Sequence, residues 1–275
     1  MLQNGDDAMC LLLIAVRSVP DRPLLLLGNR DEFRARASAA AAPWTEDPRI
    51  VGGRDLVAGG GWLALRADGR FAAVTNVRSG LPATAPKSRG WLVRDFVLGA
   101  ASPREFLEAV HADVESYGAF NLVAGDRSET WAYGTADTAS RRLDEGVHVI
   151  SNGRIGVHWP KTERLQRRFI EEIASRREID DARLLDLLAD EQQPADAALP
   201  DTGVGLDLER LLAPVFVRGS AHYGTRASTL AYVDQNGGAS LRERVFEPEA
   251  EARPETAWRL QPANTQWRPS TSNGS

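Results

Sequence analysis

A set of polar residues able to do covalent or acid–base chemistry falls at the ends of apolar runs. The only cysteine, Cys10, opens the run Cys10-Leu-Leu-Leu-Ile-Ala-Val16. Gly28-Asn-Arg-Asp-Glu32 closes the run Leu24–Leu27, Thr75-Asn76 closes the one starting at Phe71, and Ser151-Asn152-Gly153 closes the one starting at Val147. Tyr223-Gly-Thr-Arg226 opens a late run. A thiol, guanidinium groups, carboxylates and side-chain amides are the groups nucleophilic catalysis draws on. In a layered sheet, polar groups at strand ends can converge on one edge, where binding sites commonly form. Each also has an ordinary use. Asn and Gly after a strand are frequent turn residues. Arg30 and Asp31 fit a surface ion-pair set, and a cysteine in an apolar run fits a small buried hydrophobe.

Strands must carry these residues. Cys10–Val16 and Leu24–Leu27 are continuous apolar runs joined by Pro20-Asp21-Arg22-Pro23, which predicts a hairpin covered on both faces. Trp62–Leu65 and Phe71–Val74 flank the turn signal Asp68-Gly69. Further strands are expected over Phe120–Ala124, Glu129–Tyr133, Val147–Ile150, Arg226–Val233 and Leu241–Phe246. Helices are expected over Gly90–Leu98, after the capping box at Ser102, from Pro160, and over Asp181–Ala189. Residues 191–205, with Pro194, Pro200, Gly203 and Gly205, predict a loop. The pairs Gly52-Gly53 and Gly59-Gly60-Gly61 predict turns or close backbone approaches. Strands grouped in runs favour an α+β fold with mainly antiparallel sheets. Two stacked sheets with helices outside would explain the doubly apolar strands.

Composition narrows the function classes. The chain has 275 residues, 33 Lys+Arg against 38 Asp+Glu and a net charge of −5, which argues against a dedicated nucleic-acid binder. One cysteine excludes an intrachain disulfide and any cysteine-cluster metal site. The four histidines His111, His148, His158 and His222 are scattered, and neither a P-loop nor His-Glu-x2-His occurs. No cofactor or metal is called for. The first apolar run is too short to span a bilayer, which takes about 20 residues. The segment before it carries Asp6 and Asp7 but no basic residue, so a cytoplasmic protein without a signal peptide is expected. Residues 9–247 are expected to form a single domain, after an N-terminal extension or mis-assigned start over 1–8 and before a loosely ordered tail over 248–275, where Trp258 and Trp267 could pin parts down. Oligomeric state stays open.

The run Gly28-Asn-Arg-Asp-Glu32 resembles the signature of the NRDE-motif family, also called the transport and Golgi organisation protein 2 family. The likeness continues in order through Met9-Cys10, Gly52-Gly-Arg-Asp-Leu56 with Gly59-Gly60 and Trp62-Leu63, Phe71-Ala-Ala-Val-Thr-Asn76, Ser88-Arg-Gly90, Phe120-Asn-Leu122, Ile150-Ser-Asn-Gly153 with Trp159-Pro-Lys161, and Tyr223-Gly-Thr-Arg226. It covers about residues 9 to 247. It departs in the eight residues before Met9 and in Gly61, where the family often has a hydroxyl residue. More remotely, the family resembles N-terminal-nucleophile (Ntn) hydrolases such as bile-salt hydrolases and penicillin V acylases, which implies a four-layer αββα sandwich.

That resemblance implies a catalytic set of Cys10, Arg30, Asp31, Asn76, Asn152 and Arg226. An N-terminal Cys10 would be the nucleophile and its own α-amine, with a pKa of about 7.7–8.0, the base. Arg30 would lower the thiol pKa, and Asp31 would orient the ammonium or Arg30. Asn76 or Asn152 would donate to an oxyanion, and Arg226 would steady the charge near the thiolate or bind an acidic substrate group. Asn29, Glu32, Trp62 and Tyr223 are expected to bind substrate. The expected reaction is cleavage of a C–N amide bond of a small-molecule substrate through an acyl-thioester. The alternative is a non-catalytic carrier of haem, lipid or acyl-CoA, and the third reading a folded domain with a vestigial site. The amine base requires the residues before Cys10 to be absent, and Met9 followed by a small residue is a start from which Met is removed.

Overall fold

Along the first strand, alternate side chains part into two different cores. In the computed structural model, which describes residues 9–78, 85–175, 178–247, 255–262 and 264–270, the first strand β1 is Met9–Val19 and the second, β2, is Arg22–Phe33. Leu11, Leu13 and Ala15 pack with Leu25 and Leu27 against Leu165, Phe169, Leu184 and Leu185 of two helices. Cys10, Leu12, Ile14 and Val16 face the other way, onto Leu63, Leu65, Phe71 and Val123 of a second sheet. This two-sided burial is the reason the runs are apolar throughout instead of alternating. Each fully buried leucine contributes about 1.5–3 kcal/mol relative to exposure.

The second sheet consists of β3 (Ser38–Pro43), β4 (Ile50–Asp55), β5 (Leu63–Arg66), β6 (Phe71–Asn76), β7 (Phe120–Gly125), β8 (Thr130–Gly134) and β9 (Arg141–Arg142), in that order across the sheet. The first sheet has the order β10-β1-β2-β11-β12-β13-β14, where β10 is Gly146–Ile150, β11 Tyr223–Val233, β12 Ala239–Val245, β13 Thr256–Leu260 and β14 Arg268–Pro269. Every pairing in both sheets is antiparallel. Helices α1 (Arg89–Leu98) and α2 (Pro103–Ala112) cover the outer face of the second sheet through Leu92, Val93, Phe96 and Leu107. Helices α3 (Pro160–Ala174) and α4 (Asp181–Leu187) cover the outer face of the first. A short helix α5 (Leu206–Leu211) follows. The order of layers is helices, sheet, sheet, helices: the expected α+β sandwich.

Several elements differ from the sequence expectation. The segment Gly28–Glu32 does not follow β2 but lies within it, because β1 on one side and β11 on the other keep pairing through Asp31. Gly52-Gly53 lies in β4, not in a turn, and β3 beside it is Ala-rich and carries no strand signature. The tail expected to be loose carries β13, which extends the first sheet beside β12. Its Trp258 and Trp267 donate indole N–H bonds to the carbonyls of Ala41 and Arg49 at 2.8 Å each. The glycine segment is a close approach: a Cβ on Gly60 would collide with the Gly90 carbonyl group at the start of α1. The expected extension over residues 1–8, and residues 248–254 of the tail, lie outside the described residues.

Candidate functional site

The β1–β2 register sets Cys10 opposite Arg30 and Met9 opposite Asp31. Strand alternation then splits the Asn-Arg-Asp-Glu motif. Arg30 and Glu32 share the inter-sheet face with Cys10, and Asn29 and Asp31 point to the helix side. On the inter-sheet face a cavity of about 700 Å³ opens between the ends of the two sheets and the first residues of α1. Six of the ten expected residues line it: Cys10, Arg30, Glu32, Trp62, Asn76 and Arg226. Asn29, Asp31, Asn152 and Tyr223 stand behind the wall.

Each of these four has defined partners. The Asn29 amide donates to the carbonyls of Leu188 and Val215 at 2.9 and 2.8 Å, and its oxygen accepts from Ser228 at 2.6 Å. That geometry ties β2 to the helix layer and leaves Asn29 no route to the cavity. Tyr223 Oη accepts the backbone N–H of Met9 at 3.1 Å, and its ring packs edge-on against Phe33 at 5.2 Å. Asn152 is fully buried, and its Nδ2 donates to the Asn76 carbonyl at 2.9 Å. Asp31 is fully buried too: Thr225 Oγ1 donates to its Oδ1 at 2.6 Å, and its Oδ2 meets no hydrogen-bond donor among the described residues.

Burial dominates the electrostatics. The Cys10 thiol is pushed up to about 12, first by burial and then by Asp31; Arg30, opposing them, does not win. Arg30 draws the thiol down, but by less than burial and Asp31 push it up. One reason is that Arg30 is shared with Glu32, 3.3 Å away. Asp31 is raised to about 6 by burial, against the pull of Lys161, Thr225 and Arg78. Arg226 does not reach toward the sulfur as an ion-pair partner. Its Nη1 donates to the carbonyls of Phe33, Arg34 and Arg36 at 2.9, 3.1 and 3.3 Å, so it clamps the chain leaving β2 while lining the cavity. Arg34 is held likewise, by the carbonyls of Ser220, Arg218 and Glu247. Guanidinium groups held by neutral carbonyls keep their positive charge in the wall.

The sequence reading left two buried cations out of the site. Lys161, the second residue of α3, is 3% exposed and donates to the Leu212 carbonyl at 3.1 Å. Its Nζ also lies 3.5 Å from Asn152 Oδ1. Burial lowers it to about 8, with Arg78 adding and Asp31 and Cys10 opposing. Arg78, just past β6, forms a buried ion pair with Glu209 of α5 and stacks over Trp159 at 4.7 Å. Lys161 closes the Trp159-Pro-Lys161 segment quoted above, so a signal for it existed. Nothing local distinguishes Arg78 or Glu209.

The profile of the family described as Transport and Golgi organisation 2 matches residues 9–248. A Transport and Golgi organization protein 2 homolog of Homo sapiens is 32% identical over 238 residues, 80% of this chain and 86% of the human protein. The Mus musculus homolog is 28% identical over 236 residues, with the same shares of the two chains. Among solved structures, a mutant conjugated bile acid hydrolase from Clostridium perfringens superposes with a TM-score of 0.53 at 8% identity, over 96% of this chain and 97% of that one. That likeness is one of fold, the Ntn-hydrolase sandwich. With a profile match from the first residues of β1 to the end of β12 and a human relative at this identity, the chain belongs to the transport and Golgi organisation 2 family.

Proposed function

We propose that this protein is a cysteine amidohydrolase in which Cys10, once it is the first residue, attacks the carbonyl carbon of a small-molecule amide. The observation that carries the reading is the pairing of a thiol in the cavity wall with a fully buried carboxylate directly behind it. Among the described residues, Asp31 Oδ2 has no donor while Met9 precedes Cys10. A buried carboxylate oxygen without a partner is costly. An α-amino group on Cys10, free when the bond from Met9 is absent, carries the N–H donor that such an oxygen lacks. On taking the thiol proton it would also add the positive charge that Arg30 alone does not supply.

In the reaction the α-amine takes the thiol proton as sulfur bonds to the carbonyl carbon. The oxyanion is held by side-chain amide donors, of which Asn76 lines the cavity and Asn152 supports it. Removing one such donor costs about 2.7–4 kcal/mol of barrier stabilisation. Collapse expels the amine with the proton and leaves an acyl-thioester on Cys10. Water then attacks, the acid departs, and the thiol is restored. The carbonyl-clamped Arg34 and Arg226 favour a substrate with an acidic group. Cys10→Ala is expected to reduce amide turnover to background while leaving the thermal transition in place. Unchanged turnover would remove Cys10 from the reaction.

A second reading draws on the raised thiol. With Met9 attached, a thiol near 12 is neutral at pH 7 and unreactive, and a cavity of about 700 Å³ then suits a bound haem, lipid or acyl-CoA ligand. A ligand co-purifying with the protein, bound equally by wild type and Cys10→Ala, would favour this carrier over the enzyme.

A further inference from the structure

Lys161 is a charged side chain buried behind the cavity wall, 3% exposed, beside Asn152 of the site. Its charge interacts electrostatically with Cys10 of β1, Asp31 of β2, Arg78 beyond β6 and Glu209 of α5. Asp31 and Cys10 in turn interact electrostatically with Tyr223 of β11, and Glu32 with both Asp31 and Cys10. The side chain is fixed from two sides, by the Leu212 carbonyl and by Asn152 Oδ1. An ammonium can only donate. Its position beside Asn152 Oδ1 therefore turns the amide nitrogen away, toward the Asn76 carbonyl, where it is found at 2.9 Å. Arg78 also pulls Asp31 down, but its charge is paired with Glu209, side chains 2% and 4% exposed, and among the described residues it makes no contact with Asn152 of the kind Lys161 makes.

We propose that Lys161 is a positioning residue for the Cys10 site: its buried ammonium is the fixed positive charge against which Asp31 and the Cys10 sulfur ionise, and it sets the orientation of the Asn152 amide. This rests on the reading of Cys10 as the nucleophile. The pH dependence has a definite sign. Lys161 is charged below about pH 8 and loses its charge above, so its help to the thiolate is present below 8 and fades as pH rises through it. An opposite charge at close range moves a pKa by about 1–3 units, and one unit is tenfold in thiolate fraction.

The test uses protein verified to have Cys10 as its first residue, the form the nucleophile reading requires, whose single cysteine makes alkylation unambiguous. Iodoacetamide rates at Cys10 are followed by mass spectrometry from pH 6 to 9.5 for wild type, Lys161→Met and Lys161→Arg. The expectation is that Lys161→Met reacts about tenfold more slowly than wild type below pH 8, with the gap closing by pH 9.5. Lys161→Arg, which stays charged, should match wild type below pH 8 and outpace it at pH 9.5. A ratio between wild type and Lys161→Met that is constant with pH would overturn the proposal. If Lys161→Met does not fold, the comparison of Lys161→Arg with wild type decides alone, and coincident profiles overturn it. Alkylation undetectable in every form at every pH would instead defeat the nucleophile reading, and this inference with it.

Discussion

Asp31 carries a charge that its surroundings disfavour, and this has a measurable consequence. Its carboxyl is raised to about 6 because burial outweighs Lys161, Thr225 and Arg78. A folded-state pKa above the unfolded value means that the folded chain takes up a proton, between about pH 6 and 4, that the unfolded chain does not. This group therefore adds stability as pH falls through 6. Thermal melts of wild type and Asp31→Asn should show wild type gaining on the variant from pH 7 to 4.5; parallel curves would show that Asp31 does not titrate in that range. At this scale the sequence reading grouped all four residues of the Asn-Arg-Asp-Glu motif with Cys10, without the split that strand alternation imposes. The tandem Asn-Arg-Asp-Glu motif on a strand beside Cys10 has to send two side chains to the thiol's face, and Arg30 and Glu32 are those two. The reading fell short again where burial governs. No local pattern reveals that Cys10 is too deeply buried for Arg30 to ionise it. Nor does one reveal that Lys161 points inward, since lysine near a helix start is ordinarily exposed.

Between elements, two contacts hold the site's frame. Arg78 and Glu209 pin α5 to the chain beyond β6, and Glu209 also accepts from Thr202 N and Oγ1 at 2.9 and 2.6 Å. Breaking a buried pair by removing one partner leaves an uncompensated charge, so Glu209→Ala should lose about 3–5 kcal/mol in denaturant unfolding. A loss below about 1 kcal/mol would mean that water replaces the pair. Gly60 is the other contact. An added Cβ would run into the Gly90 carbonyl group and force α1 away from the cavity, so Gly60→Ala should cost about 1–3 kcal/mol in the same unfolding measurement. Elements with strong local signals, the apolar runs of β1 and β2 and the amphipathic α3, were legible in the sequence. The elements that were not are those set by their neighbours. β3 is Ala-rich and pairs only because β4 lies beside it. β2 runs on through Phe33 because two strands flank it. β13 exists by pairing with β12, although a turn- and charge-rich stretch precedes it.

Over the whole molecule, strands grouped in runs and apolar on both faces led to two stacked sheets between helices, and the four layers follow that logic. The convergence of their strand ends is what gathers Cys10, Arg30, Glu32, Asn76 and Arg226 around one cavity from segments as far apart in sequence as β1 and β11. Sequence order alone does not show which face of each strand meets the cavity, so Asn29 and Tyr223, which the sequence groups with Cys10, stand behind its wall. The central claim is that Cys10 becomes an acyl-accepting nucleophile when it is the first residue. The most direct measurement compares two proteins of verified N-terminus, one starting at Cys10 and one retaining Met9. Each is treated with an activated acyl donor and mapped by peptide mass spectrometry. The account predicts an acyl adduct on Cys10 that forms at least about tenfold faster in the protein starting at Cys10, as expected from an added adjacent positive charge. Equal rates in the two proteins, or no adduct on Cys10 in either, would contradict it.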